Sequence, residues 1–228
     1  MKFTNSLIKG KLLKRYKRFF ADIKVNSKII TAHCPNTGSM QGLLNQGNEV
    51  LLTEHNDPKR KLKFTLEIIK SKKRFVVVNT HRANKIVNHG LENKLISEFK
   101  NIKNIKPEFK FSDDTRFDFL CDNNLIEVKN VTLFRENDIA EFPDAVTSRG
   151  TKHLNMLIKS IKKRYKPYVL FLTQIQNINN FRIAKDIDHI YFENYKKAKK
   201  AGVKFLTYRC KLSLSLIHIS EPTRPIDI

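Results

Sequence analysis

Arg116-Phe117-Asp118-Phe119-Leu120-Cys121-Asp122-Asn123-Asn124-Leu125-Ile126-Glu127-Val128-Lys129 is two alternating runs around a turn. Cys121-Asp122-Asn123-Asn124 supplies the turn, so Leu120 pairs with Leu125 and, counting back, Asp118 with Glu127. Alternation then predicts one apolar face of Phe117, Phe119, Ile126 and Val128, and one polar face of Arg116, Asp118, Glu127 and Lys129. Carboxylates facing across a ladder lie roughly 5 Å apart at Cβ and repel unless a cation sits between them. Hard oxygen donors at that spacing suit Mg²⁺ or Mn²⁺, with waters and a substrate phosphate completing the shell. Lys129, two residues on and on the same face, is placed to orient or help deprotonate a bound water. An acid-x-Lys tripeptide occurs six times, starting at Asp22, Asp57, Glu92, Glu98, Glu108 and Glu127. Only the last follows an Asp-bearing strand that turns straight back onto it. That context sets it apart from a solvated face holding two ion pairs.

Upstream of the hairpin the chain reads as short strands, at 12–13, 19–25, 28–32, 49–53, 62–69 and 74–78, broken by turn residues such as Asn26-Ser27. Short strands without a long helix predict a small barrel of oligonucleotide-binding (OB) type. Its first strand is basic: Lys9, Lys11, Lys14, Arg15, Lys17 and Arg18 put six cations in ten residues, with Tyr16, Phe19 and Phe20 interleaved. Cations for phosphates and rings for bases are what single-strand binders combine. Tyr16 is the better stacking candidate, because Phe19 and Phe20 also suit a barrel core.

From residue 81 the period changes. Helix spacing covers 83–101, strand patterns return over 109–131, and a second helix spans 148–163 with Leu154, Leu157, Ile158 and Ile161 as its stripe. Tyr168-Val169-Leu170-Phe171-Leu172-Thr173 is apolar enough for a buried central strand. A third helix over 188–201 stops at Gly202, and 203–208 is a last strand. The second half is therefore α/β. Arg149, Lys152 and His153 fall in the first turns of the second helix, where cations and the helix N-terminus can hold a phosphate. Glu108 and Asp144 are further carboxylates that could assist a metal.

Composition agrees with a polyanion binder. Lys plus Arg number 44 against 22 acidic residues, a formal charge of +22. The surplus is mostly Lys, which an AT-rich genome also supplies, so charge alone does not decide the partner. No run approaches the ~18 apolar residues of a membrane span. Three scattered cysteines make neither a disulfide framework nor a zinc site, which fits a cytoplasmic chain with no membrane partner.

Several strings together resemble the bacterial sugar fermentation stimulation protein (SfsA) family. They are His33-Cys34-Pro35-Asn36-Thr37-Gly38-Ser39-Met40, Asn56-Asp57-Pro58-Lys59-Arg60-Lys61, Arg116-Phe117-Asp118-Phe119, Glu127-Val128-Lys129-Asn130-Val131-Thr132-Leu133, and residues 142–154 from Phe142-Pro143-Asp144 to His153-Leu154. The likeness runs in order from about residue 7 to residue 210. Asn130 departs from it, standing where the family is expected to have Ser. The resemblance implies an α/β (α+β two-domain) chain: an OB-like nucleic-acid-binding β-barrel over 1–80, then a PD-(D/E)XK restriction-endonuclease-like α/β domain over 81–213. It implies DNA binding and Asp118, Glu127 and Lys129 as a nuclease triad.

The expected function is DNA binding, single- or double-stranded, with phosphodiester hydrolysis dependent on Mg²⁺ or Mn²⁺ held by Asp118 and Glu127; RNA is the less favoured partner. The alternative is a non-catalytic DNA-binding protein or regulator linked to sugar metabolism. An intact Asp/Glu/Lys set favours the enzyme, because a pure binder gains nothing from carboxylates beside a polyanion. Residues 214–228 resemble a translated sequencing adapter and are expected to pack poorly.

Overall fold

Bulges and one missing Cβ explain how the first strands close on themselves. The computed structural model describes residues 6–136, 138–212, 217–222 and 224–225. Strands β1 (Ile8–Tyr16), β2 (Phe20–Val25), β3 (Lys28–His33), β4 (Glu49–Glu54), β5 (Phe64–Ser71) and β6 (Arg74–Val77) form one sheet in the order β3-β2-β1-β4-β5-β6. Register shifts at Leu12/Lys14 in β1 and Leu51/Leu52 in β4 bend the strands. A parallel pairing of β3 with β5, Ala32 to Phe64 and His33 to Thr65, then shuts the barrel. Leu12, Ala21, Ile23, Val50, Leu52 and Leu66 fill its core. At Gly10 any Cβ would stand 2.5 Å from the Ile23 side chain, so only glycine lets β1 and β2 approach.

The second half holds a six-stranded sheet in the order β14-β13-β11-β9-β8-β7. Its members are β7 (Ile105–Ser112), β8 (Thr115–Cys121), β9 (Asn124–Val131), β11 (Lys166–Thr173), β13 (Lys204–Leu212) and β14 (Ile217–Pro222); β10 (Ile139–Phe142), β12 (Asn180–Ile183) and β15 (Arg224–Pro225) make a small separate sheet. β11 runs parallel to β9 on one side and β13 on the other, as its apolar run predicts. Helix α1 (His81–Glu92) packs against β9 and β14, while α2 (Ser148–Ile161) packs against β11 and α3 (His189–Ala201). Thr147 caps α2 by accepting from Gly150 N, Asp188 caps α3 by accepting from Tyr191 N, and Gly202 ends α3 at φ +104°.

Three expectations need correction. The helix expected over 83–101 stops at Glu92, because Lys94 turns left-handed; a 3₁₀ turn at Ser97–Phe99 then buries Ile96 and Phe99. Of the segment expected to pack poorly, residues 217–222 instead pair along β13, with Ile217 and Ile219 buried against α1's side of the sheet; 214–216, 223 and 226–228 lie outside the described residues. Alternating isoleucines are all a sheet edge needs, whatever the origin of the segment. Third, Phe117 does not share a core with Phe119, Ile126 and Val128. Those three pack on the α1 side, whereas Phe117 packs with Leu154 and Leu157 of α2. The cause lies beside it: Glu108 of β7 is left-handed, and the β8–β9 ladder reaches only from Cys121–Asn124 to Phe119–Ile126.

Several contacts fasten the barrel to the α/β half, among them a strand junction, a loop clasp and the Glu67–Arg82 ion pair. β6 runs onto the exit of β11 through Val77 N to Gln174 O (2.9 Å) and Gln176 N to Phe75 O (2.9 Å). The loop after β3 clasps the segment before α2: Met40 N donates to Asp144 Oδ2 (3.0 Å) and Ser39 Oγ to Asp144 O (2.5 Å). A Cβ on Gly38 would lie 2.5 Å from the Asp144 carboxylate. Asp144, a candidate accessory metal ligand by sequence, is consumed by this clasp.

Candidate active site

The site lies where β8 parts from β9. Beyond Phe119 the strands no longer pair, and the Asp118 side chain fills the gap: Oδ2 accepts from Val128 N (2.7 Å) and Oδ1 from Asn84 Nδ2 of α1 (2.7 Å). Glu127 projects to the other side of the sheet, beneath α2, and is only 4% exposed. The polar face is therefore not an open one. Glu127 Oε1 accepts from Lys129 Nζ (2.6 Å) and from His153 Nδ1 at short range, whereas Oε2 is buried with no partner. Buried polar atoms are rarely left unpaired, so an orphaned carboxylate oxygen is the feature that calls for a ligand.

Electrostatics separate the two acids. Burial, then the charge of Glu127, raises the Asp118 carboxyl to about 7. Burial also pushes Glu127 upward, but Lys129 and His153 outweigh it and hold that carboxyl below its ordinary value. Glu127 thus stays charged while Asp118 titrates near neutrality. Among the described residues no three His, Cys, Asp or Glu side chains converge as a metal cage. Two carboxylates, one of them with an unpartnered buried oxygen, suit a hard divalent cation that keeps waters and takes substrate oxygens better than a closed site.

The other expected residues divide. Lys14, Tyr16, Lys17 and Arg18 are exposed on the β1–β2 hairpin, where Lys14 sits over the Tyr16 ring (5.4 Å) and near Asp22 (3.6 Å). Tyr16 stacks on Phe20, and Phe19 stacks on His33. Arg18 faces β9 across a hollow shared with Asn36 and Asn130. Arg15 points inward, donating to Asn36 O (2.7 Å) and Arg18 O (3.0 Å), so it braces the loop. On α2, Arg149 and Lys152 are exposed, and Lys152 pairs with Asp114 (2.7 Å). His153 is buried on Glu127 rather than presented to a strand, its Nδ1 proton fixed toward the carboxylate. Glu108 stands at the rim of the hollow containing Asp118, 4.0 Å from Arg116. Asn130 accepts from Gln174 (2.5 Å), away from the carboxylates. Sequence reasoning missed Asn84, which lies on an ordinary helical face with no local signal.

Comparison with known proteins follows the same division. The family model described as the SfsA N-terminal OB domain matches residues 13–78, and the sugar fermentation stimulation protein RE domain matches 81–215. A sugar fermentation stimulation protein homolog of Pelagibacter ubique is 60% identical over 231 residues, covering 100% of both chains. The homolog of Alteromonas mediterranea is 43% identical, covering 97% of this chain and 98% of its own. In fold, the chain resembles the solved structure of Pyrococcus furiosus SfsA in complex with Ca²⁺, at TM-score 0.89 and 23% identity, over 100% of this chain and 98% of that one. With both domain models matched in order and full-length relatives at this identity, the chain belongs to the sugar fermentation stimulation protein family.

Proposed function

We propose that this protein binds DNA and hydrolyses its phosphodiester bonds with a divalent cation, in the manner of PD-(D/E)XK nucleases. The observation that carries the reading is the buried, unpartnered Oε2 of Glu127 beside an Asp118 carboxyl raised to about 7. Asp118 and Glu127 would hold Mg²⁺ or Mn²⁺; the relative with Ca²⁺ supports a hard divalent ion. Such an ion, when bound, acts as a Lewis acid toward phosphoryl oxygen and lowers the pKa of water. The chain's own residues do the rest. Lys129 and His153 keep Glu127 ionised. Asn84 and Val128 N hold the Asp118 carboxylate in one orientation. Arg18, Lys14 and Lys17 on the barrel, with Arg149 on α2, supply exposed cations for flanking phosphates.

The test is incubation of the protein with end-labelled single- and double-stranded DNA, with Mg²⁺, Mn²⁺ or EDTA. Cleavage with either metal and none in EDTA is expected. Cleavage that persists in EDTA would sink the metal mechanism, and binding without cleavage in any divalent ion would leave the non-catalytic reading. The hairpin has its own check: Lys14→Ala, Lys17→Ala and Arg18→Ala together should flatten the salt dependence of duplex binding by up to about 0.9 log unit per contacting cation. Arg15→Ala should instead lower the melting temperature, since its guanidinium is a loop brace. An unchanged salt slope would mean that the hairpin faces away from DNA.

A further inference from the structure

A cleft of about 850 Å³ opens between the barrel and the start of α1, apart from the carboxylates. His33 of β3, His55 and Arg60 of the loop after β4, and His81, Arg82 and Lys85 of α1 line it. Two of the sequence strings that the catalytic reading leaves unused, the one with His33 and the one with Arg60, meet here. The three histidines are not arranged to hold a metal with any other His, Cys, Asp or Glu among the described residues. The lining is built: His55 Nε2 sits against Thr65 Oγ1 (3.0 Å), and Arg60 Nη2 donates to the same hydroxyl (3.1 Å). Below them Glu67, 2% exposed, accepts from Thr53 (2.8 Å) and Asn79 (3.0 Å) and pairs with Arg82 (2.5 Å).

Charge decides what would enter. Glu67 is answered by Arg82, and Glu108 at the mouth lies near Arg116. Among the described residues neither Arg60 nor Lys85 has an ion-pair partner. Two cations and imidazole donors in a half-enclosed cleft match a phosphate monoester, which carries about −1.5 to −2 near pH 7, better than a monoanionic diester. Burial and Arg60 lower the pKa of His33 and His55, which keeps them as neutral donors rather than added cations. Phe19, stacked on His33, offers a ring to an adjacent base. The cleft also leads to the catalytic acids, because Asn84, Lys85 and Glu108 line both it and the hollow containing Asp118.

We propose that this cleft receives the terminal phosphate of a nucleic-acid strand whose next nucleotides run toward Asp118. The proposal rests on the nucleic-acid reading above. The test uses the full chain in EDTA, so that nothing is cut, with short labelled single strands ending in a 5′-phosphate, a 3′-phosphate or hydroxyls only. One phosphorylated end should bind at least tenfold tighter than the hydroxyl strand, and which end does so identifies the polarity. Lys85→Ala, an exposed helical position, and Arg60→Ala should each lower the affinity for the phosphorylated strand at least tenfold, with a smaller loss for the hydroxyl strand, so that the preference disappears. Inorganic phosphate is titrated separately. If no strand binds yet phosphate binds wild type and not the two variants, the anion site stands and the nucleic-acid reading falls. Equal affinity for all three ends, or a preference untouched by both variants, overturns the proposal.

Discussion

Asp118→Asn and Glu127→Gln should each reduce metal-dependent cleavage by several orders of magnitude, yet shift the stability of the metal-free protein in opposite directions. Asn at 118 keeps an acceptor for Val128 N, and Asn84 can turn its own amide to accept from the new one. It removes a charge that burial and Glu127 disfavour, so it should stabilise by about 1–2 kcal/mol above neutral pH. Gln at 127 strips the counter-charge from Lys129, whose side chain is 13% exposed, and weakens the hydrogen bond with His153. Breaking a buried pair from one side leaves the other charge stranded, at a cost of about 3 kcal/mol. Thermal melts in EDTA, run beside cleavage assays, check both. Equal stability changes would show that the two carboxylates share one environment, contrary to the geometry.

Metal affinity should fall up to tenfold per pH unit as pH drops below about 7, because a cation must displace the proton that Asp118 then holds. The sign for folding is opposite. A carboxyl whose folded value is raised stabilises the fold at pH below about 4, and this contribution is lost as pH rises to about 7. The metal-free protein should therefore lose stability across that window, while metal binding becomes stronger. Titration calorimetry in buffers of different ionisation enthalpy should find about one proton released per metal near pH 6 and almost none at pH 8.5. Asp118→Asn should abolish both the release and the stability slope. Affinity that is flat between pH 5.5 and 8.5 would remove Asp118 from the metal shell.

What could be read from residues alone was whatever depended on near neighbours. The turn at 121–124, the apolar β11 and the stop at Gly202 all have local causes, and each stands where expected. The pairing of Asp118 with Glu127 assumed a ladder that continues past Phe119. It does not continue, so Phe117 changes sides and the acids approach from opposite faces of the sheet. Nor does spacing show that His153 turns inward, that Arg15 braces Asn36, or that Asn84 reaches Asp118 from 34 residues away. Those facts arise from packing between elements, which leaves no period in the chain.

The clasp at Asp144 has a bearing on how such chains can be recombined. One side of it, Gly38 to Met40, belongs to the barrel half, and the other belongs to the α/β half more than a hundred positions later. Without a side chain at 38 the carboxylate fits; with one, it is displaced. The two halves are therefore not interchangeable parts. A barrel transplanted from a relative would have to bring along the partner for its own loop, so residues 36–40 and 142–147 form one structural unit divided between two places in the chain.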